Sequence, residues 1–439
     1  MRYFFIVLTL LLVYIIQKTR IDIISKVVLY CFIGYWMTAL ILSTYHFFGI
    51  FEVSDYSYIC LVTGVLFFVI GMFVVKSPLY ASWLRERHLG SFDNAVDSFI
   101  TNKFFLCLIL GTSIFGFMYA REALAIAVIG GKAEMWDKGD LIFGGNTIAI
   151  QYYTNIMTPL FHISTILALY IIIKKKYIRF LLQFVSFISC IVSFSILAGS
   201  RNIFVIIFLY AILCYFLLNS KRQISKVSIK QYLSIAIIAI LVIQGITLMT
   251  NYRKEGTFTS STGDNDSQSS LEMVYKYSEL PFVLFDRAIQ YNYLQKFDYQ
   301  YGRLTLSGLD YWFVNFINRT GAQFESSQKI VQYLDDNYFP YSKEDMANYA
   351  YTAFFYNYID FGYIGIIIFP FIFGVIFRKC INRFIVKPSM YSFFLICFYF
   401  FILMHTIFSC YFNKPWVIVF VLFLYIMDRK NNFKQYKIS

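Results

Sequence analysis

The sequence predicts an all-α, polytopic integral membrane protein. Of its 439 residues, 59% are apolar (Ala, Val, Ile, Leu, Met, Phe, Trp, Tyr and Cys), and only 14% are charged. A soluble globular chain has about 45–50% apolar and about 25% charged residues, so both values leave the soluble range in the same direction. This composition excludes a cytosolic enzyme, a secreted disulfide scaffold, a disordered chain and a nucleic-acid-binding domain.

Eleven apolar runs predict the spans, since a helix needs about 20 mainly apolar residues to cross a bilayer. The first is not a cleaved signal peptide, because Lys18 and Arg20 follow it and no small-residue cleavage site ends it. In chain order the runs are Tyr3–Ile16, Val27–Phe48, Tyr56–Val75, Phe104–Ala120, Tyr152–Ile173, Phe180–Leu197, Ile203–Leu218, Tyr232–Met249, Tyr363–Phe377, Tyr391–Phe408 and Trp416–Met427.

The connections between these runs alternate in charge. Every second one is rich in Lys and Arg, whereas the second connection carries Glu52 and Asp55 and the fourth carries acidic residues from Glu122 to Asp140. Cytoplasmic loops of membrane proteins carry the excess of Lys and Arg. The pattern therefore predicts an external N-terminus and a cytoplasmic C-terminus, and the net charge of +13 describes orientation. The basic connections lie at 18–26, 76–103, 174–179, 221–230, 378–387 and 429–437.

One connection is far longer than the others and is predicted to be external. Residues 250–358 contain no spanning run, so the chain divides into spans one to eight (1–249), this segment, and spans nine to eleven with a basic tail (359–439). The segment holds nine basic and thirteen acidic residues, a net charge of −4, which leaves +17 for the rest of the chain.

The external segment is predicted to be partly helical. Thr257–Ser270 is polar and predicts a flexible strip. Pro281 opens a helical pattern. A second pattern, at i, i+3, i+4, i+7 and i+8, predicts an amphipathic helix that lies either in the membrane interface or against the protein's own spans. Ser342–Asp345 resembles a capping box that begins a third helix. The apolar positions are Leu284, Phe285, Ala288 and Ile289 in the first pattern and Leu309, Trp312, Phe313, Phe316 and Ile317 in the second.

Transport and metal chemistry find little support in the residue pattern. The predicted span cores contain no Asp, Glu, Lys or Arg, and no repeated half is visible, although transporters need such groups near the midplane. His162 and His405 lie within apolar runs, where a packed interhelical histidine competes with a proton relay. No His, Cys and carboxylate cluster has metal-ligand spacing, and the eight cysteines lie in or beside spans, away from the external segment.

Two places break the apolar pattern. Gly199 and Ser200 allow a tight turn, after which Arg201 stands at the predicted outer surface. Its guanidinium suits a phosphate, although a snorkelling arginine that ends a helical hairpin is the alternative. Asp360 stands at the mouth of the ninth span. There it is either a functional carboxylate or a helix N-terminal charge favoured by the dipole.

Together these places resemble the Wzy-type oligosaccharide repeat-unit polymerases, which build bacterial O-antigen and related surface polysaccharides. The long external segment ahead of the second place also fits. The match in architecture covers nearly the whole chain, and the match in motifs is confined to these two places. The motifs are Gly199-Ser200-Arg201 between two spans and (T)xFxxxYxDFGxxG, present as Thr352, Phe354, Tyr358, Asp360, Phe361, Gly362 and Gly365.

The resemblance implies a GT-C-like fold in the bacterial inner membrane, with residues 250–358 in the periplasm. It also implies a glycosyltransferase that joins two undecaprenyl-diphosphate-linked oligosaccharides. A sugar hydroxyl attacks an anomeric carbon, and undecaprenyl diphosphate leaves. No cofactor, metal or nucleic acid is implied. A chain-length regulator and a flippase are possible protein partners in this family.

Two kinds of side chain are then required. Arginines stabilise the charge that develops on the departing diphosphate, and a carboxylate accepts the proton of the attacking hydroxyl. Arg201 is the first candidate for the diphosphate. Asp360 is the first candidate for the base, followed by Asp310 and Glu325. The further arginines, Arg319 foremost among them, are Arg253, Arg287, Arg303 and Arg319.

Two other functions compete with polymerisation. O-antigen ligases share the architecture and the lipid-linked donor, but they commonly use a histidine in their large external loop. Residues 250–358 contain none, which favours a polymerase. A lipid-linked oligosaccharide flippase, which is not an enzyme, is expected to have a cationic central cavity and short loops, and the sequence predicts neither.

Overall fold

A computed structural model of the chain describes residues 1–78, 82–137, 142–198, 202–219, 270–343, 346–347 and 351–436. Its helices, numbered here in chain order, are α1 (Arg2–Lys18), α2 (Ile23–Ser43), α3 (Asp55–Val74), α4 (Ser82–Ile100), α5 (Lys103–Asp137), α6 (Thr147–Ile173), α7 (Leu181–Ala198), α8 (Asn202–Asn219), α9 (Ser270–Gln290), α10 (Tyr293–Phe297), α11 (Ser307–Asn318), α12 (Gln328–Asp336), α13 (Ala353–Phe361), α14 (Tyr363–Val386), α15 (Met390–His405) and α16 (Pro415–Tyr436). Two short strands, β1 (Phe339–Pro340) and β2 (Met346–Ala347), pair antiparallel.

The prediction of an all-α membrane protein is confirmed in its general form. Among the described helices, seven are long and apolar enough to cross a bilayer, namely α2, α3, the Lys103–Ile126 part of α5, α6, α7, α8 and α14. The apolar helices Met390–His405 and Pro415–Ile426 are shorter, as is α1 with 17 residues. The predicted span Tyr232–Met249 and the polar strip Thr257–Ser270 lie outside the described residues, apart from Ser270. Eleven spans therefore stay a prediction.

Helix starts and close contacts follow from particular side chains. Asp22 accepts a hydrogen bond from the backbone N–H of Ser25 and so caps α2. Helices α3 and α14 cross where Gly71 faces Phe371 and Gly374 faces the backbone of α3. A Cβ at either glycine would collide with the other helix. Small residues let two spanning backbones approach closely, so these glycines fix the crossing.

The chain forms two compact units. The first comprises Met1–Leu79, Ser267–Val386 and Ile402–Ile418, and the second comprises Tyr80–Asp266, Lys387–Phe401 and Val419–Ser439. These units do not follow the division at residues 249 and 358, because the helices of the external segment pack with α2 and α3 in the first unit.

In the first unit, residues from three predicted cytoplasmic connections meet at one end of the helices. The fully buried guanidinium of Arg378 is paired with Asp22 and donates hydrogen bonds to Ser25 and to Ser77 Oγ, the latter at 2.6 Å. Three predicted cytoplasmic connections thus share one ionic cluster, as the alternating charge pattern requires.

The predicted external residues meet at the other end of the same unit. Arg2 donates to the backbone oxygen of Thr44 at 3.1 Å. The buried carboxylate of Asp286, on α9, accepts from Ser54 N at 3.2 Å and from Ser57 Oγ at 2.7 Å. Helix α9, which is predicted to be external, is therefore held on the start of α3. Which end of the helices faces outwards stays a prediction.

The second unit contains a buried histidine and an ion pair between two of the connections. His162 Nδ1 lies 2.8 Å from the hydroxyl of Tyr210 on α8, so it is the packed interhelical histidine that the sequence favours. Lys176 pairs with Asp97 at 2.7 Å. Both residues belong to predicted cytoplasmic connections, so this contact also agrees with the charge pattern.

Two predictions for the external segment are wrong. Pro281 does not open a helix, because it lies within α9. Ser342 does not cap a helix either. It bridges to Ile50 beside the β1–β2 pair. The backbone of this stretch finds hydrogen-bond partners in neighbouring extended segments, including Phe51 N, which donates to Tyr341 O at 3.0 Å. Tertiary pairing therefore overrides the local capping signal.

Candidate functional site

The candidate site is the loop of residues 298–306, within the segment predicted to be external, which rests on the C-terminal end of α13. Backbone hydrogen bonds run from Gln300 N to Ile359 O at 3.3 Å and from Tyr301 N to Asp360 O at 3.1 Å. The loop turns sharply, since Asp298, Tyr301 and Gly302 all have positive φ. Such a conformation is costly for residues other than glycine and persists only where the surroundings hold it.

The carboxylate of Asp360 holds this loop in place. It is fully buried, and its two oxygens accept hydrogen bonds from Leu304 N at 3.0 Å and Thr305 N at 2.7 Å. Burial raises the pKa of Asp360 above its usual value, although the hydrogen bonds from Thr305 and Leu304 oppose that shift. A carboxylate whose oxygens are both engaged and removed from solvent cannot reach a substrate hydroxyl in this conformation, so the geometry assigns it a positioning role.

The end of this loop and the start of α11 are hydrogen-bonded to α13 and to the segment ahead of α16. Thr305 Oγ1 donates to Asn357 Oδ1 at 3.0 Å, and Ser307 Oγ donates to Asn413 O at 3.2 Å. Gly308 lies so close to the backbone of Lys414 that a Cβ there would collide with it. The start of α11 is therefore fixed against both α13 and the chain that leads into α16.

The loop 298–306 and the start of α11 together form a platform, and Arg303 is held at its surface. Its Nε donates to Asp310 Oδ1 at 3.0 Å, and a terminal nitrogen donates to the backbone oxygen of Glu325 at 2.6 Å. The Arg303 side chain is 48% exposed, whereas that of Asp310 is only 10% exposed. One face of the guanidinium is therefore fixed by protein oxygens, and the remainder is open to a ligand.

Asp310 is the buried partner in this pair. Its second carboxylate oxygen accepts from Ser326 Oγ at 3.0 Å and from Ser327 N at 2.7 Å. Burial alone would raise the pKa of Asp310, but the hydrogen bonds from Arg303, Ser327 and Ser326 outweigh it and lower the pKa below its usual value. Asp310 is thus an ionised anchor for Arg303.

Glu325 is the accessible carboxylate of the site. Its side chain is 78% exposed and accepts a hydrogen bond from Lys329 Nζ at 2.7 Å. That hydrogen bond lowers the pKa of Glu325. Its backbone oxygen binds Arg303, so a solvent-exposed carboxylate and an exposed guanidinium lie on neighbouring chain segments.

Arg319 stands at the opposite end of α11. It follows the last residue of the helix and is exposed. The side chain of Asn318 donates to Phe324 O and accepts from Phe324 N, both at 2.9 Å, and so closes the loop that carries Arg319. Within the described part of the chain, Arg319 has no ion-pair or hydrogen-bond partner for its guanidinium.

Arg287 lies apart from this cluster. Its guanidinium carbon is 4.6 Å from the centroid of the Phe51 ring, and it donates to Gln290 Oε1 at 3.0 Å. The Nε atom of Arg287 is buried without a partner among the described residues. This arginine therefore packs α9 against the α2–α3 connection.

Of the eight sequence-predicted site residues, the structure brings together Arg303, Asp310, Glu325 and Asp360, and it places Arg319 on the same helix-loop unit. Arg201 and Arg253 lie outside the described residues. Sequence reasoning missed the polar side chains that hold the platform. These belong to Thr305, Ser307, Ser326, Ser327, Gln328 and Asn357, and the backbone oxygen of Asn413 accepts from two of them.

The site offers cations and carboxylates without a preformed metal centre. Within the described ranges, no group of three His, Cys, Asp or Glu side chains could hold a metal ion. Comparisons with protein-family models, with curated proteins and with solved structures find no match for this chain.

Proposed function

We propose that this protein polymerises undecaprenyl-diphosphate-linked oligosaccharide repeat units into O-antigen or a related surface polysaccharide at the periplasmic face of the bacterial inner membrane. Support comes from the apolar helical architecture, from the sequence resemblance and from the external platform. The observation that carries most weight is Arg303, an exposed guanidinium fixed from behind by a buried carboxylate and a backbone oxygen.

Arg303 suits the leaving group of this reaction. The acceptor hydroxyl forms a bond to the anomeric carbon of the donor. The bond from that carbon to the diphosphate breaks, and its electron pair leaves with undecaprenyl diphosphate. A guanidinium presents several N–H donors in a fixed plane and binds phosphate oxygens in pairs. Because Asp310 and Glu325 already orient Arg303, little conformational entropy is lost when the diphosphate binds.

Glu325 is the base that fits best among the described carboxylates. Asp360 and Asp310 are engaged on both oxygens and largely buried. Glu325 is open to solvent and ionised at neutral pH, because Lys329 lowers its pKa. It can take the proton of the acceptor hydroxyl once a substrate displaces or shares Lys329. Asp360 and Asp310 then act as positioning residues for the loop and for Arg303.

Arg319 and Arg201 are the remaining cations for phosphate binding. Arg319 is exposed at the end of α11 and carries no competing carboxylate among the described residues. Arg201 follows the Gly-Ser turn at the predicted outer surface. Two lipid-linked substrates each bring a diphosphate, so the reaction has use for more than one arginine.

The deciding experiment is deletion of the gene in its source organism, followed by electrophoresis of the surface polysaccharide. For an O-antigen, a polymerase loss leaves the lipopolysaccharide core with a single repeat unit, and complementation with the wild-type chain restores long polymer. Bare core with polymer retained on its carrier would indicate a ligase instead, and the absence of both products would indicate a flippase.

Point variants in the same strain test the site. We expect Arg303→Ala to reduce polymer to the level of the deletion, while Lys343→Ala, which removes an exposed cation elsewhere on the external segment, leaves it intact. Full-length polymer from Arg303→Ala at normal protein abundance would contradict the role of Arg303 at the diphosphate.

A further inference from the structure

The amphipathic helix α11 turns its apolar side away from the rest of the protein. Phe313 is 62% exposed and Phe316 is 70% exposed, with Leu309 and Trp312 also exposed. At 100° per residue these four side chains form one continuous stripe along the helix. Val314, on the opposite side, is buried. Phe313 and Phe316 are therefore not covered by the described residues, whereas Trp312, at the edge of the stripe, contacts Pro415.

The first half of α11 is fixed at the point where an apolar helix begins. Ser307 binds Asn413 O, Gly308 packs against Lys414, and Trp312 Nε1 donates to Pro415 O at 3.0 Å. The helix that starts at Pro415 is apolar as far as Ile426. Helix α11 therefore runs beside the mouth of this apolar helix and does not stand away from it.

A second apolar helix begins close to the loop that leads into α11. Asp360 binds the loop that leads into α11, and it is followed within three residues by the spanning helix α14. The first turn of α14 exposes Ile364, and Ile368 is exposed one turn later. The start of α11 and the loop ahead of it thus contact the chain where two apolar helices begin, which is where a bilayer changes from hydrocarbon to headgroups.

We propose that α11 is an interfacial helix, whose Leu309, Trp312, Phe313 and Phe316 stripe enters the outer part of the lipid bilayer. Helices that lie in an interface combine an apolar face containing Trp or Phe with a polar face. Here the polar and buried side carries Asp310. The occupant of the stripe is phospholipid, because α11 begins beside the starts of two apolar helices and the stripe consists of large apolar side chains.

This placement has a consequence for Arg319. It follows directly after α11, about 20° from Trp312 around the helix axis at 100° per residue. An arginine at that edge of an inserted helix reaches the plane of the lipid phosphates. The proposal about α11 itself does not depend on the proposed function.

Photocrosslinking in lipid nanodiscs tests the proposal. p-Benzoylphenylalanine is placed at Phe316 of the full-length chain, in nanodiscs of phosphatidylethanolamine and phosphatidylglycerol, and adducts are identified by mass spectrometry. The same label at Asn315, an exposed polar residue beside the stripe, is the matched control. The label at Ile368 on α14 is the lipid-facing reference. The same label at Phe313 gives a second position on the stripe, which keeps the test valid if the variant labelled at Phe316 does not fold.

We expect phospholipid adducts at Phe316 and Phe313 in yields similar to that at Ile368, and several-fold above that at Asn315. Absence of phospholipid adducts at both phenylalanines, with a normal yield at Ile368, would overturn the proposal. Adducts to a second copy of the chain would also overturn it, because the stripe would then be a protein interface.

Discussion

Replacing Asp360 with Asn tests whether this carboxylate orders the candidate site. The wild-type carboxylate accepts one backbone hydrogen bond on each oxygen, at 3.0 and 2.7 Å. Asparagine keeps one acceptor oxygen but presents its NH₂ group to the other backbone N–H. We expect Asp360→Asn to lose one of the two hydrogen bonds without a change in side-chain volume.

The cost follows from the charge on the acceptor. A hydrogen bond to a charged group contributes about 1.5–3 kcal/mol. At about 1.4 kcal/mol per tenfold change in an equilibrium constant, local opening of the loop becomes about 10-fold to 150-fold more frequent. Hydrogen–deuterium exchange of peptides covering residues 298–306 measures this change directly, since Leu304 and Thr305 supply the amides concerned.

Asp298→Asn is the matched control, because Asp298 is an exposed carboxylate in the same loop. It should leave exchange of the loop unchanged. Unchanged exchange in folded Asp360→Asn protein would refute the positioning role. If that variant also lost polymer, Asp360 would be reinstated as a candidate base.

Three further predictions concern other parts of the molecule. Arg378→Met should destabilise the protein by about 3–5 kcal/mol, because it strands the partner carboxylate Asp22 at a buried cluster; an unchanged denaturation midpoint in detergent would contradict this. Burial raises the pKa of Glu279 to about 8, against an ordinary value near 4.5. Its neutral form therefore contributes stability that is complete below about pH 4.5 and is lost as the pH rises through about 8. Glu279→Gln should flatten the decline in melting temperature over this range, and an identical decline in both proteins would argue against it. Arg201→Ala should abolish polymer while the protein still inserts normally, and polymer of wild-type length and amount would remove Arg201 from the site.

The sequence was most informative about the apolar helices. A spanning helix needs a long apolar run whatever its neighbours are, so run length locates it well. The predicted span Tyr56–Val75 agrees with α3 (Asp55–Val74) to within one residue. The charge alternation predicts that the connections 18–26 and 378–387 lie on the same side of the membrane. The ion pair between Asp22 and Arg378 agrees with this.

The external segment was harder to predict, because long-range contacts decide its structure. Ser342 carries a valid capping signal, yet Ile50, far away in the chain, supplies its backbone partner. The periodicity of α11 revealed an apolar stripe but could not tell whether lipid or protein covers it. The exposure of Phe313 and Phe316 shows that the described residues of this chain leave them uncovered, and lipid as the occupant is our proposal.

The roles of the carboxylates depend on partners that no local pattern contains. Asp360 was the first candidate for the base because it stands at a span mouth. The backbone N–H groups that occupy it lie more than 50 positions earlier in the chain. Glu325 ranked behind Asp360 in the sequence and becomes the better candidate only when the exposure of the two side chains is compared.

The central claim is tested most directly with the purified protein in nanodiscs and synthetic undecaprenyl-diphosphate-linked repeat units. Polymer length is followed by electrophoresis or mass spectrometry in the presence of a metal chelator. The proposal predicts a ladder of lipid-linked oligomers together with release of undecaprenyl diphosphate, and loss of both in Arg303→Ala. Recovery of unextended repeat units from folded protein, or elongation only when a divalent metal is supplied, would contradict an arginine-assisted polymerase.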